Sequence, residues 1–287
     1  MNKKDVISIL KNLRISPKKH LGQNFLINEL TTSKIIEFSN ISEDDIILEV
    51  GSGLGALTEK LSGVAQNVYA YEIDANLYRY LSDKFAKRPN VQIIHQDILK
   101  AELPPHNKIV SNIPYSITGP LLEKVFFKSS PPNGNLVIEK SISDRIFYKK
   151  EYHNFSRITV SVNSFMNPIK RVQISKNSFY PRPKIDLSLI KLKPKKELPP
   201  FLEEESTRDF FLKFIAGIMP YKNKNLSNAI GLFLKRFRYS DSDKNQIKRI
   251  LKEIQLKDGK TFQLELDKFP ELAQKIYHLT ELGEINH

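Results

Sequence analysis

Four consecutive residues, Asn112-Ile113-Pro114-Tyr115, combine an amide, a rigid turn and an aromatic ring. The Asn112 side-chain oxygen and a backbone carbonyl of the Ile113-Pro114 turn can accept two N–H bonds from one amine. Proline fixes the turn and brings no competing N–H. Tyr115 offers a face on which a flat ring can stack. This set suits an aromatic amine, whose lone pair must leave conjugation before it can attack an electrophile. Upstream lies Glu49-Val50-Gly51-Ser52-Gly53-Leu54-Gly55-Ala56, and between the two motifs stand two acids, Glu72 and Asp97, each at or after the end of an apolar run.

The glycine loop follows a strand pattern and opens a helix. Glycines permit a sharp turn and close approach of a ligand, and the helix N-terminus offers unpaired N–H groups. The same loop satisfies the dinucleotide fingerprint, and Glu72 can bind ribose hydroxyls in either case. Taken alone, the loop therefore leaves NAD and S-adenosyl-L-methionine both open. Its neighbours favour the second. Glu49 suits a cationic methionine group better than a pyrophosphate. Asp97, in His95-Gln96-Asp97-Ile98, is spaced to accept from an adenine amine. Asn112–Tyr115 closes the next strand over the expected sulfonium. Singly, an acid at a strand end is an ordinary helix cap, and Asn-Ile-Pro an ordinary turn. The ordered set is what argues for a methyl donor beside an amine-binding turn.

The elements that must position these residues are legible as apolar runs. Strands are expected at Ile46–Val50, Asn67–Glu72, Val91–His95, Lys108–Ser111, Asn135–Glu139 and Leu187–Leu192, with helices at Ala56–Leu61 and Ala75–Phe85. Strands alternating with helices predict a parallel sheet covered on both faces. Ile169–Ile174 and Leu187–Leu192 are joined by a short connection, which predicts an antiparallel hairpin at the sheet edge. Val6, Ile9, Leu10 and Leu13 can line one face of a short N-terminal helix. The stretch Lys193–Pro200 reads as a linker. Beyond it Thr207–Ile218, Asn225–Arg236, Asp243–Ile254 and Lys268–Tyr277 have helical spacing. The expected architecture is thus α/β: a Rossmann-like class I methyltransferase sheet with an antiparallel edge hairpin over residues 1–200, and a small all-helical domain over residues 201–287.

Composition bounds the partner. The 287 residues carry a net charge of +13, which favours a polyanion, nucleic acid before membrane. From Thr207 onward 15 Lys and Arg face 10 Asp and Glu, so the excess is spread over both parts. Candidates for phosphate contact are Lys18, Lys19, Arg145, Lys149, Lys150, Arg182, Lys222 and Lys224, several of them solvated bystanders. Cysteine is absent, which excludes disulfides, thiolate metal sites and cysteine nucleophiles. The six histidines have no metal-ligand spacing, and no metal is expected; His20 reads as structural or as a phosphate contact. With no apolar run of ~18 residues and no signal-peptide core, a cytoplasmic protein without membrane contact is expected.

At these residues the chain resembles the KsgA family of rRNA adenine dimethyltransferases, over nearly its whole length. Lys18-Lys19-His20-Leu21-Gly22-Gln23-Asn24-Phe25-Leu26 looks like the family's N-terminal motif, Ile47–Thr58 like its glycine loop, and Phe179-Tyr180-Pro181-Arg182-Pro183-Lys184-Ile185-Asp186 like its late motif. The resemblance implies S-adenosyl-L-methionine bound by Asn24, Leu26, Glu49, Gly51, Gly53, Glu72, Ile73, Asp97, Ile98 and Asn112. It implies catalysis at Asn112, Tyr115 and Phe179, with Phe179 stacked on the second face of the base. It implies dimethylation of two adjacent adenines in small-subunit rRNA by a monomer acting in ribosome biogenesis. Ile113 stands where the family usually has Leu, and Ile is common in the related Erm enzymes of large-subunit rRNA. An Erm-like enzyme is therefore the alternative. A non-catalytic nucleic-acid-binding factor on the same fold is another, opposed by the intact Asn112–Tyr115 motif. An oxidoreductase is opposed by the lack of an evident catalytic acid.

Overall fold

The computed structural model describes residues 1–18, 21–149, 152–237 and 244–284. In chain order its elements are α1 (Lys3–Asn12), β1 (Phe25–Leu26), α2 (Glu29–Ser39), β2 (Ile46–Val50), α3 (Ala56–Leu61), β3 (Asn67–Glu72), α4 (Ala75–Phe85), β4 (Val91–His95), β5 (Lys108–Asn112), α5 (Thr118–Phe126), β6 (Asn133–Glu139), α6 (Lys140–Ile146), α7 (Arg157–Phe165), β7 (Met166–Ile174), β8 (Phe179–Tyr180) and β9 (Leu187–Pro194). Helices α8 (Pro200–Glu203), α9 (Glu205–Ile218), α10 (Leu226–Phe237), α11 (Lys244–Glu253) and α12 (Lys268–Glu284) follow.

Seven strands form one sheet in the order β4-β3-β2-β5-β6-β9-β7. Strands β2, β3, β4, β5 and β6 pair in parallel, and β9 runs antiparallel to β6. The central strands are buried on both faces, as continuous apolar runs in a helix-covered parallel sheet must be. The chain builds outward from β2 to β4 and then returns to β5. The ends of β2 and β5 therefore flank a topological switch point, where open α/β sheets bind ligands. This is the expected α/β architecture, with β9 and β7 at one edge. The connection between them is more than a turn. Its Phe179-Tyr180 forms a second, two-stranded antiparallel sheet with Phe25-Leu26.

One apolar cluster joins Leu26, Ile35, Leu57, Val110, Val137, Phe179, Leu187 and Leu189. A second joins Val6 and Leu10 of α1 to Phe25, Leu54 and Leu77, with Ile9 and Leu13 packed against it. The N-terminal helix thus packs beside the glycine loop.

The chain divides into two compact units. The first comprises Met1–Val125, Pro131–Ser143 and Pro168–Pro194, and the second Phe126–Ser130, Asp144–Asn167 and Lys195–His287. Within the second unit α9, α10 and α12 pack on α7 or on one another around Phe210, Phe214 and Phe233. A side chain at Gly217 would bring Cβ within 2.4 Å of the Phe233 ring, so only glycine permits this close approach.

Candidate active site

The glycine loop leaves β2 under tight constraint. Gly51 has φ +71° and its N–H donates to the Tyr71 carbonyl at 2.8 Å. A Cβ here would stand 3.0 Å from Pro114 Cγ. Gly51 therefore serves both the left-handed turn and the approach of the Asn112–Tyr115 motif. Across the switch point the Ser111 hydroxyl donates to the Val50 carbonyl at 2.6 Å, which ties the last turns of β2 and β5 together.

Three acids lie buried around this loop, at Glu49, Glu72 and Asp74. Glu72 closes β3; its Oε2 accepts from Gly53 N–H and its Oε1 from Asp74 N–H, both at 2.9 Å. It thereby anchors the glycine loop and keeps further lone pairs for a ligand's hydroxyls. Burial, opposed by these backbone bonds, holds its carboxyl above the usual range. Glu49 is enclosed more deeply, and its Oε2 accepts from the Thr58 hydroxyl at 2.6 Å. Burial pushes its carboxyl up to about 7, and the nearby Glu72 charge adds to the rise. Two neighbouring buried carboxyl groups, Glu49 bonded by the Thr58 hydroxyl and Glu72 by two backbone N–H groups but neither paired with a charge among the described residues, make a site for a cation. Glu72→Ala is expected to weaken binding of S-adenosyl-L-methionine, the cofactor that the family resemblance implies, by removing an acceptor for two hydroxyls, each contact worth ~0.5–1.5 kcal/mol. Calorimetry checks this, and unchanged affinity would remove Glu72 from the ligand site.

Asp74 was not legible as a site residue. Its Oδ1 caps α4 through Asn76 and Leu77 N–H, and its Oδ2 accepts from Lys18 Nζ at 2.7 Å and Gln23 Nε2 at 3.3 Å. Burial works against its ionisation, but the Lys18 bond and the backbone donors outweigh it, and its pKa is lowered. Gln23 Oε1 in turn accepts from Lys18 N–H at 2.8 Å. This brace holds the segment that carries Asn24. The only signal in the sequence was an acid at a helix cap.

Asn112 ends β5, and its Nδ2 donates to the Asn24 carbonyl at 3.2 Å. That bond fixes which way the amide faces. Its Oδ1 is then buried without a partner. The neighbouring Pro114 carbonyl accepts from Ile117 N–H at 3.1 Å. Tyr115 packs against the apolar cluster that contains Phe179. Its hydroxyl is buried without a partner, and burial raises its pKa. Phe179 is 2% exposed. The open stacking face expected of Phe179 is therefore closed in this conformation, because β8 pairs with β1 and turns the ring into the core.

The structure brings the ten expected cofactor residues to two adjoining cavities. Asn24, Leu26, Glu49, Gly51, Gly53, Glu72, Ile73 and Asn112 line the first, and Asp97 and Ile98 the second. Gly51, Ile73, Leu21 and Pro114 line both. Ile73 is half exposed, an apolar surface on which a flat ring can rest. Two expected phosphate contacts are committed elsewhere. Lys18 pairs with Asp74. Lys222 donates to the Tyr152 and Phe155 carbonyls at 3.0 and 2.7 Å, because its partly buried ammonium needs acceptors. Arg145, Lys149, Arg182 and Lys224 are exposed; Lys19, His20 and Lys150 lie outside the described residues. Among the described residues no group of three or more His, Cys, Asp or Glu side chains is placed to hold a metal ion, and no helix is long and apolar enough to cross a membrane.

A Rossmann-like sheet with an antiparallel strand beside β6, and a site at its switch point, is the class I methyltransferase fold. Solved structures agree. A dimethyladenosine transferase from Plasmodium falciparum superposes with a TM-score of 0.74 at 23% identity, covering 90% of this chain and 98% of its own. The 23S rRNA methyltransferase ErmE gives 0.62 at 23% identity, covering 88% and 100%. The family model described as ribosomal RNA adenine dimethylase matches residues 14–263, and the chain belongs to that family. Relatives named ribosomal RNA small subunit methyltransferase A occur in Thermotoga maritima, at 35% identity over 85% of each chain, and in Geobacillus sp., at 30% over 94% of this chain and 95% of the relative. Another, from Borrelia garinii subsp. bavariensis, is 38% identical over 79% and 80%.

Proposed function

We propose that this protein transfers methyl groups from S-adenosyl-L-methionine to the 6-amino group of adenines in small-subunit rRNA, dimethylating two adjacent adenines. The observation that carries the reading is the orphaned Asn112 Oδ1. A buried acceptor without a partner costs roughly 1–3 kcal/mol, and an amine N–H removes that cost. The bond from Asn112 Nδ2 to Asn24 keeps the oxygen turned toward the site. Since the Pro114 carbonyl is taken by Ile117, the Ile113 carbonyl serves as the second acceptor. Two such bonds hold both amine hydrogens in one plane and leave the lone pair directed at the donor.

The donor set fits S-adenosyl-L-methionine: buried Glu49 for a cationic group, Glu72 for ribose hydroxyls, Ile73 and Ile98 for the adenine faces, and Asp97 for its amine. When bound, it supplies an electrophilic methyl on a sulfonium. The protein's part is to position and to exclude water. Tyr115 stacks on the acceptor base, and Phe179 takes the other face once the β1–β8 pair has shifted. Stacking of ~1–3 kcal/mol per base offsets the cost of taking the adenine out of its own stack. The helical unit and the exposed Arg145, Lys149 and Lys224 supply RNA contacts.

Incubation with labelled S-adenosyl-L-methionine and a mixture of undermodified small and large ribosomal subunits, followed by mapping of labelled nucleosides, tests the reading. Label in dimethyladenosine of small-subunit rRNA is the expected result; label only in large-subunit rRNA, or none, overturns it. The Tyr115 hydroxyl has no partner, so Tyr115→Phe is expected to keep near-normal turnover and to leave stability equal or slightly higher. Tyr115→Ala loses the stacking face and is expected to reduce turnover by ~10-fold or more, as ~1–3 kcal/mol of stacking implies. Equal rates for the two variants, read by mass spectrometry of the rRNA, would take Tyr115 out of the acceptor site.

A further inference from the structure

The apolar faces that β7 and β9 turn toward α2 both end in lysines. Along β9, Leu187, Leu189, Lys191 and Lys193 alternate onto one face, the first two buried in the core cluster. Along β7, Ile174, Val172 and Lys170 do the same, and again the apolar pair belongs to the cluster. Helix α2 covers the apolar part, and its last turn carries Phe38, partly exposed. Lys191 Nζ lies 5.0 Å and Lys170 Nζ 5.7 Å from the centroid of that ring. The charges crowd one another. Burial, and then Lys193, Lys108 and Lys170, lower the pKa of Lys191. Lys108 is neutralised by Asp45. Among the described residues, Lys170, Lys191 and Lys193 form no ion pair.

We infer that Lys170 and Lys191, which flank Phe38, together with Lys193 next to Lys191 on the same face of β9, form a docking surface for the phosphate backbone of RNA lying beyond the target nucleotides. This rests on the reading of the protein as an RNA methyltransferase. Three like charges converging without an ion-pair partner repel one another, and a polyanion relieves that repulsion while releasing its own counterions. An aromatic ring among cations is the usual makeup of a surface that follows a nucleic-acid strand. Lysines also protect the open edges of sheets, but β9 lies between β6 and β7 and has no open edge. Lys191 and Lys193 therefore need another reason. Lys191 stands opposite Asn135 near the start of β6, and Asn112 opposite Val137 toward its end. With one strand, β6, between them, two strand spacings and two residues along β6 put the surface on the order of 12 Å from the amine-binding turn. It is thus outside the active site and within reach of the same RNA.

The test replaces all three lysines by glutamine in the full chain. Binding to protein-free small-subunit rRNA is measured across a salt series, with turnover on undermodified small subunits and S-adenosyl-L-methionine affinity alongside. The expected result is a fall in the log–log salt slope of roughly 2–2.7, and binding about 10²-fold weaker near 0.1 M salt, from 0.7–0.9 for each contact. KM for RNA should rise, while turnover at saturating RNA and cofactor affinity stay unchanged, and arginine at the three positions should restore binding. An unchanged slope and KM, with cofactor affinity intact, overturns the inference. If the wild type binds rRNA through these lysines yet methylates nothing, the methyltransferase reading fails and the surface stands.

Discussion

Replacing Asn112 by alanine is expected to lower turnover by ~10²–10³-fold while the protein stays folded. Preorganised dipoles aimed at the charge that develops during reaction contribute on this scale when one is removed. As the lone pair of the amine reaches for the methyl, its N–H groups gain positive charge, so the bond to Asn112 Oδ1 strengthens toward the transition state. That is differential binding, and it enters turnover rather than ground-state affinity. The fold loses little. Asn112 is only partly buried, at the last position of β5, and its side-chain amide is tied to the fold by the bond to the Asn24 carbonyl. Loss of that bond costs about 1 kcal/mol. A monomethylated amine retains one hydrogen, so the second methyl transfer depends on fewer bonds, and both steps should suffer. Single-turnover assays with mass spectrometry of the nucleosides, beside thermal melting, check the result. Turnover within tenfold of wild type would assign the amine to another acceptor.

The parts of the fold set by continuous apolar runs were legible in the sequence. Strands β2 and β3 fall where the runs Ile46–Val50 and Asn67–Glu72 place them, because burial leaves a local mark; the edge strand β4, at Val91–His95, is only partly buried and is marked by its β-branched Val91, Ile93 and Ile94. Helix α7 left a misleading one. Its Ile158-Thr159-Val160-Ser161-Val162 alternates like a strand. A capping box between Ser156 and Thr159, and burial of Val160 and Val162, make it a helix instead. Helix α2 has Thr31-Thr32 and Ser39 within a weak stripe. It is held by the Asn28 cap and by Ile35 in the core.

The site divides in the same way. Glu49, Gly51, Glu72 and Asn112 were legible because each stands at the end of a strand, and parallel strand ends converge. The Lys18–Gln23–Asp74 brace was not, since it spans over fifty residues between two loops. The pairing of β1 with β8 is two residues long and leaves no periodicity at all. It is nonetheless what turns Phe179 inward, so the resting position of that ring follows from tertiary pairing alone.

Glu49→Gln is expected to strengthen the free protein above neutral pH and to weaken its hold on S-adenosyl-L-methionine. The carboxyl has its ordinary value of 4.5 in the unfolded chain and is pushed up to about 7 in the folded protein. Between these values the folded protein binds a proton that the unfolded chain has lost. Stability from this group is therefore greatest below the lower value and falls as pH rises through about 7. At about 1.4 kcal/mol per unit, the cost above neutrality is on the order of 3 kcal/mol, and glutamine, which cannot ionise, removes it. A cation beside Glu49 reverses the balance by pairing with the ionised form. Cofactor binding near pH 6 should then release a proton, and affinity should rise with pH up to about 7. In Glu49→Gln both effects should vanish, and affinity above neutrality should fall by ~10-fold or more, the equivalent of one charge-assisted bond. Calorimetry in buffers of different ionisation enthalpy reads the proton, and melting curves from pH 5 to 8 read the stability. Wild-type binding that is independent of pH and releases no proton would place the cationic group of the cofactor away from Glu49, and a variant no more stable than wild type at pH 8 would show that Glu49 is ionised without penalty in the free protein.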